Sequence, residues 1–423
     1  MTIFVSIAAY RDPELAPTIR DCLSRARYPD DLRFGICWQH AADEPALPEF
    51  ADPRMRVIDV PWHESRGACW ARSEIMQLWG GEDFYLQLDS HHRFVQDWDA
   101  LLLTHAERTG AAKPLLTTYT APFDPAVAEL PPGEPMLMDF DQFSADGIPA
   151  FRPRVIPDWP TLQRPLRARF VAGGFVFTLG AFVNDVPYDP ELYFHGEEIM
   201  LSIRAFTHGF DAFHPPEHIL WHEYTRLHRA KHWGDHVQAQ GITVEWHERD
   251  AKSREKVRQF LLEPYVGPFG CGTVRSFAEY EAYAGLSFLH RAAQDATLRG
   301  EEPPNPPAPA SWTTQLREWH VRIVLDRSTL QPEALADPRL WYVGCHDADN
   351  TELHRQDAEG EELQWLLQDA SPAVVIERRF SSSPQPVTWT VWPLSSTGEW
   401  LRQIVGTVDG RTPIAADYDP TVD

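Results

Sequence analysis

The chain has 423 residues, 43% of them hydrophobic and 12% aromatic, a globular composition on a length that exceeds one ordinary core. Its net charge of −24 excludes a general nucleic-acid binder, which needs a basic face to displace counterions. A small anionic ligand in a local basic pocket stays compatible with that charge.

Residues 3–9, IFVSIAA, form a continuous apolar run of the kind buried on both faces of a parallel sheet. Residues 14–26 follow with helical spacing, placing Leu15, Ile19, Cys22, Leu23 and Ala26 on one side. Strands are expected at 32–38 and 55–60, a helix after Gly67 within 65–79, and a fourth strand at 83–89. A helix at 98–109 and a strand at 114–121 continue the alternation, which predicts an α/β domain with a largely parallel sheet. Residues 122–168 are proline-rich and read as a long excursion. A strand and then a helix are expected in 169–186, a helix at 196–209 ending at Gly209, a strand at 218–224, and helices at 249–262 and 276–298. The run EEPPNPPAPA, 301–310, reads as a stiff extended linker. Beyond it, apolar and polar residues alternate in HVRIVLD, LWYVG, AVVIERRF and PVTWTVWPL, the pattern of a small antiparallel β domain. Most of its tryptophans are expected in the core, and the acidic segment 345–362 as a solvated loop. No internal repeat is visible.

The five cysteines are scattered, odd in number and lack a CxxC spacing, so neither a disulfide framework nor a zinc knuckle is expected. The N-terminus lacks a basic region and a cleavage site and reads as a first strand, and no run reaches the roughly 20 apolar residues of a membrane span. A cytoplasmic protein is expected.

The stretch FYLQLDSHHRF, 84–94, ends an apolar strand in Asp89, Ser90 and His91. Ligands of α/β sheets sit outside the carboxyl ends of strands, and residues i and i+2 of an extended segment face the same side. Asp89 and His91 can therefore face one ligand, and an oxygen beside an imidazole suits a divalent cation such as Mn²⁺. Alone, such a pair is also met as a turn cap and a surface imidazole. Arg66 and Arg72 bracket the helix opening RGACWAR, where Gly67 permits close approach. Guanidinium groups beside a helix N-terminus favour phosphate.

The series IFVSIAAYRDPE, RGACWAR, LQLDSHHRF, VAGGFVFTLGAFVNDVPYDPELYFHGEEIMLSIRAFTHGFD and ILWHEYTR resembles metal-dependent GT-A glycosyltransferases. It is most similar to the hydroxyproline-directed N-acetylglucosaminyltransferases and their bacterial relatives, and more distantly to the mucin-type polypeptide N-acetylgalactosaminyltransferases. GPFGCGTVRSFAEYEAYAG, 267–285, resembles the end of the first family's catalytic region, so the likeness covers about residues 1–285. The resemblance implies a Rossmann-like mixed sheet with flanking helices. It implies a GT-A catalytic domain at 1–248 with a helical extension at 249–300, set before the proline-rich linker at 301–311 and a β-rich, sandwich-like domain at 312–423.

By the same resemblance Asp89, His91 and His222 hold Mn²⁺ or Mg²⁺ against the diphosphate of a UDP-sugar. Tyr10, Arg11, Asp59, Arg66, Arg72 and Ser90 line the nucleotide, Gly173 and Gly174 lie under the donor sugar, and Glu197 and Glu198 meet sugar hydroxyls and acceptor. His195 stands where the mucin-type enzymes carry an aromatic residue. The implied activity is retaining transfer of N-acetylglucosamine from UDP-GlcNAc to a hydroxyl of a protein, peptide or glycan, with hydroxyproline, serine or threonine as acceptor. Another UDP-sugar, or a carbohydrate-binding protein on a transferase scaffold, are the alternatives.

Overall fold

The computed structural model describes residues 1–127, 129–144, 146–225, 229–306, 312–314, 317–368, 371–382 and 384–408. The chain divides into two compact units. The first comprises Met1–Asp141, Ile148–Leu289 and Gln294–Ser311, and the second Gln142–Gly147, His290–Ala293 and Trp312–Asp423.

The first unit begins with β1 (Ile3–Tyr10), α1 (Leu15–Arg25), β2 (Leu32–His40), β3 (Met55–Pro61), α2 (Ala68–Met76) and β4 (Phe84–Asp89). It continues with β5 (His92–Phe94), α3 (Trp98–Arg108), β6 (Pro114–Thr117), β7 (Ala121–Pro122), β8 (Met136–Phe143), β9 (Pro149–Val155) and β10 (Leu166–Arg167). Next come β11 (Phe175–Leu179), α4 (Phe182–Asp185), α5 (Glu197–Thr207), β12 (Asp211–His214), β13 (Leu220–His222), α6 (His232–Asp235), α7 (Trp246–Leu262) and α8 (Phe277–Ala284).

Eight strands form one sheet in the order β10-β12-β6-β11-β4-β1-β2-β3. β1 lies between β2 and β4, parallel to both, which is why its apolar run is continuous rather than alternating. β11 runs antiparallel to β4 and β6, so the sheet is mixed, as the family resemblance implies, and less parallel than the strand–helix alternation predicts. Leu15, Ile19 and Cys22 of α1 join Trp98, Leu102 and Ala106 of α3 in one core cluster with the sheet. α2 packs on β1 and β2, and Gly35 makes that approach possible: a Cβ there would lie 2.3 Å from Phe4 Cζ and 2.8 Å from Ile75 Cγ2. A second, small sheet, β5-β13-β7, pairs His222 with His92 across antiparallel strands.

Three expectations are corrected. The excursion at 122–168 contains a strand pair, β8 and β9, hidden from periodicity because prolines interrupt both its approach and its exit. Helix 276–298 stops at a left-handed Gly285 and gives way to β14 (Leu286–Ser287), β15 (Ala292–Gln294) and the short α9 (Asp295–Leu298). The acidic segment 345–362 is not wholly loop, because Glu352–Arg355 pairs with a neighbouring strand. Residues 301–306 belong to the first unit, with Glu302 accepting from Arg164 and Asn305 accepting from Arg169.

The second unit holds β16 (Trp312–Thr314), β17 (Arg317–Asp326), α10 (Pro332–Ala336), β18 (Pro338–His346), β19 (Glu352–Arg355), α11 (Gly360–Gln368), β20 (Ala373–Ser382), β21 (Thr388–Ser395) and β22 (Ile404–Thr407). β17 pairs antiparallel with β20, and β19-β18-β21-β22 form a four-stranded sheet whose pairings are all antiparallel, as the C-terminal alternation predicts. Ile323, Trp341, Val343, Ile376 and Val391 centre its core. Trp319, Trp341 and Trp389 are buried, while Trp365 and Trp400 are exposed. Among the described residues no helix is long and apolar enough to cross a membrane.

Candidate active site

The carboxyl ends of β1 and β4, the amino ends of α2 and α5, and the end of β13 surround one cleft. Two cavities, about 160 and 410 Å³, share Asp89 as lining. The smaller holds Tyr10, Asp12, Ser90 and His91, and the larger Arg72, Gly173, Gly174, Glu197, Glu198 and His222.

Asp89 is the hinge of the arrangement. Its Oδ1 accepts from Arg72 Nη2 at 2.7 Å, and its Oδ2 lies 3.2 Å from His222 Nε2, a residue 133 positions away. Burial opposes ionisation of this carboxyl, but the His222 bond and the charge of Arg72 prevail and hold it well below the usual carboxylate range. Arg72 is itself 3% exposed and reaches a second carboxylate, Glu197, through Nη1. Tyr188 donates to the same Glu197 oxygen at 2.7 Å, and Gln87 Nε2 donates to Gly173 O and Tyr188 Oη at 2.6 Å each. Burial alone would lower the Arg72 pKa; Glu197, Tyr188 and Asp89 raise it, so the guanidinium is firmly charged.

Gly173 and Gly174 lead into β11 beneath these groups. A Cβ at Gly173 would sit 3.1 Å from the Glu197 carboxyl, and one at Gly174 3.0 Å from Asp89 Oδ2, so a side chain on the cleft floor would press on both carboxylates. Glu198 accepts from Gly173 N at 3.0 Å and from Tyr119 Oη at 2.8 Å. Burial pushes its carboxyl up to about 7, with the charge of Glu197 adding to the rise and those two hydrogen bonds opposing it.

The ligand atoms of Asp89, His92 and His222 lie within 4.8 Å of one another. His92 Nδ1 lies 2.9 Å from Trp221 O, and His92 Nε2 is buried without a hydrogen-bond partner. A carboxylate between two imidazoles, each with an orphaned ring nitrogen, fits a divalent transition-metal ion. His91 packs against His222, ring centroids 4.4 Å apart, with its Nδ1 turned to Asp12 Oδ2 at 2.7 Å. Burial works against the Asp12 carboxylate, but His91, Arg229 and Ser90 outweigh it and hold its pKa at about 2. Asp12 thus backs the Nδ1 side of the His91 ring and leaves its Nε2 side free of that contact. Arg229 Nη1 lies against both partners of this contact.

Residues 229–233 line one side of the smaller cavity. Asp235 accepts from Tyr10 Oη at 3.0 Å and from Arg11 Nη1 at 2.9 Å, and His232 Nε2 lies 3.0 Å from Ser65 Oγ. The structure thus gathers Tyr10, Arg72, Asp89, Ser90, His91, Gly173, Gly174, Glu197, Glu198 and His222 around the cleft, with His195 on the larger cavity. Three expected residues do not line it. Arg11 faces a shallow neighbouring pocket, Asp59 is 69% exposed and bonded to His40, and Arg66 lines a separate groove beside Trp70. Sequence reasoning passed over Asp12, Tyr119, Tyr188 and His92. The doubled histidine of DSHHRF was the one local signal, and the two tyrosines carried none.

The family model for glycosyltransferase (GlcNAc) matches residues 2–49 and 44–290, more than half of the chain. The chain belongs to this family. Among solved structures, this family member is similar to GalNAc-T7 with UDP, GalNAc and Mn²⁺, at 14% identity and a TM-score of 0.42 over 66% of this chain. It spans 56% of the GalNAc-T7 chain, less than two thirds of it. S. aureus TarS 1–349 in complex with UDP-GlcNAc is similar at 11% identity and a TM-score of 0.32, over 62% of this chain and 73% of that one. S. aureus TarS is similar at 10% identity and a TM-score of 0.34, over 96% of this chain and 77% of that one. No curated protein matches the sequence.

Proposed function

We propose that this GlcNAc-family member is a metal-dependent, retaining glycosyltransferase that moves N-acetylglucosamine from UDP-GlcNAc to a hydroxyl of a protein or peptide acceptor. The observation that carries the reading is the convergence on Asp89. One carboxylate meets the imidazole of His222 on one side and the Arg72–Glu197 pair on the other, above a two-glycine floor. Asp89, His91 and His222 are the residues that would hold Mn²⁺. A cation there supplies charge against the departing diphosphate. His91 enters this set by the family resemblance, with Asp12 behind its Nδ1 to orient the imidazole, while His92, whose Nδ1 is backed by Trp221 O, is the imidazole whose ligand atom clusters with those of Asp89 and His222.

Arg72 fixes Glu197 toward the donor sugar, and Glu198 anchors the Gly173 amide while presenting a carboxyl that changes protonation near neutrality. Tyr10 and Ser90 belong to the nucleotide end. The acceptor hydroxyl attacks on the face of the leaving diphosphate, a diphosphate oxygen takes its proton, and no protein nucleophile is needed. Five free, buried cysteines support a reducing, cytoplasmic setting.

Isothermal titration with UDP, with and without Mn²⁺, tests this reading. Binding is expected to need Mn²⁺ and to weaken by about a hundredfold in Asp89→Asn. His91→Ala is expected to match that loss and His92→Ala to lose less than about tenfold. Metal-independent UDP binding in the wild type, or an unaffected Asp89→Asn, would overturn it.

A further inference from the structure

Outside the cleft a second concavity of about 640 Å³ runs between the turn at Trp62–Glu64, the start of α2, residues 240–244 and Arg249 of α7. That volume is in the range of about 300–1,000 Å³ that takes a ligand of drug size or a short peptide. Its walls are Trp62, Trp70, Ile242 and Val244, and its polar groups include Arg66, Arg249 and His63.

The two arginines are its unusual feature. The Arg66 guanidinium sits 5.7 Å from the centroid of the Trp70 ring. Arg249 is half-buried, and its Nε is buried without a hydrogen-bond partner. Glu64 stands on the rim and Glu248 beside Arg249, yet among the described residues neither arginine forms an ion pair. Burial, and then the charge of Arg66, lower the Arg249 pKa. Arg66 is exposed and Arg249 half-buried, and the charge of Arg66 works against that of Arg249, so an external anion between the two guanidiniums would relieve their repulsion.

The groove also adjoins the cleft at its nucleotide end, so a segment held in it would dock the acceptor at a distance from Glu197 and Glu198. The Trp62 carbonyl accepts from His236 Nε2 at 2.9 Å, and the His236 ring stacks at 3.7 Å on His232, which lines the smaller cavity. We propose that this groove is an acceptor subsite for an acidic polypeptide segment, with a carboxylate held between Arg66 and Arg249 and adjacent apolar residues against Trp62 and Trp70. Planar guanidiniums match a carboxylate, and the apolar walls match the side chains of a peptide better than the hydroxyl-rich faces of a glycan. This subsite rests on the transferase reading above.

Fluorescence anisotropy on the full chain tests it. The probe is a labelled nine-residue peptide that alternates leucine and glutamate around a central threonine, compared with the same peptide carrying glutamine for glutamate. The acidic peptide is expected to bind about tenfold more tightly, and Arg249→Gln and Arg66→Gln each to reduce that ratio to about twofold or less. Mn²⁺-dependent UDP binding by Arg249→Gln is expected to equal that of the wild type, which also reports that the variant folds. Equal affinity of the wild type for both peptides, or a ratio that survives both substitutions, would overturn the subsite. So would heparin binding through these arginines in place of the acidic peptide. Failure of the wild type to bind UDP with Mn²⁺ instead overturns the transferase reading, and the peptide ratio is read independently of it.

Discussion

Arg72 holds two carboxylates at once, and its worth is set by what its loss would leave behind. Asp89 is half-buried and Glu197 buried, and both would lose the cation they share. Breaking a buried ion pair from one side costs about 3–5 kcal/mol. Arg72→Ala is therefore expected to lose about that much in urea denaturation, together with UDP affinity. A stability within about 1 kcal/mol of wild type would show that the network relaxes around the gap. Glu198 makes a prediction of opposite electrostatic sense. Its carboxyl rises from 4.5 to about 7 in the folded chain, so the folded state binds this proton more tightly than the unfolded state does. The stabilisation is complete below pH 4.5 and is lost as pH rises through 7. Over that window the wild type should lose up to about 3 kcal/mol that Glu198→Gln does not lose, at about 1.36 kcal/mol per pH unit. Parallel stability–pH curves for the two proteins would contradict the burial of Glu198.

Elements reach their places through contacts that the local pattern only partly announces. The helix α2 was legible from its opening glycine, but its closeness to β1 and β2 depends on Gly35 in the adjacent strand. Gly35→Ala is expected to cost about 1–3 kcal/mol by overpacking Phe4 and Ile75, and to lower the thermal midpoint without abolishing the fold. An unchanged midpoint would mean that α2 can shift outward freely. The small sheet β5-β13-β7 is the element that matters most to the site. Three short strands carry too little period to be read as a sheet, yet their pairing sets His222 opposite His92. The strand pair at 122–168 escaped for a similar reason. Proline punctuation marks breaks in the chain and says nothing of which segments pair across them.

For the molecule as a whole, the two units have separate hydrophobic clusters. Trp341 is fully buried in the second cluster. Trp341→Ala is expected to destabilise that unit by about 3–5 kcal/mol while leaving UDP affinity, measured with Mn²⁺ present, within about twofold of wild type, because no described residue is shared between that core and the cleft. Calorimetry and isothermal titration on the same sample would check both halves of this expectation. A matching loss of UDP affinity would show the units to be energetically coupled.

Chain order and residue chemistry sufficed for the α/β class and the antiparallel C-terminal strands, and the family resemblance pointed to most residues of the cleft. For the strands the reason is physical: a doubly buried strand must be continuously apolar, so the abrupt polar triplet Asp89-Ser90-His91 marks its end. The details that depend on distance were out of reach. The reversal of β11, the Arg72 bridge and the tyrosines behind Glu197 and Glu198 join residues far apart in sequence, and no local pattern encodes such a meeting. The same holds for Arg66. A helix-start arginine reads as a phosphate ligand in the sequence, and only the packing of residues 240–249 against it shows that it faces a different groove.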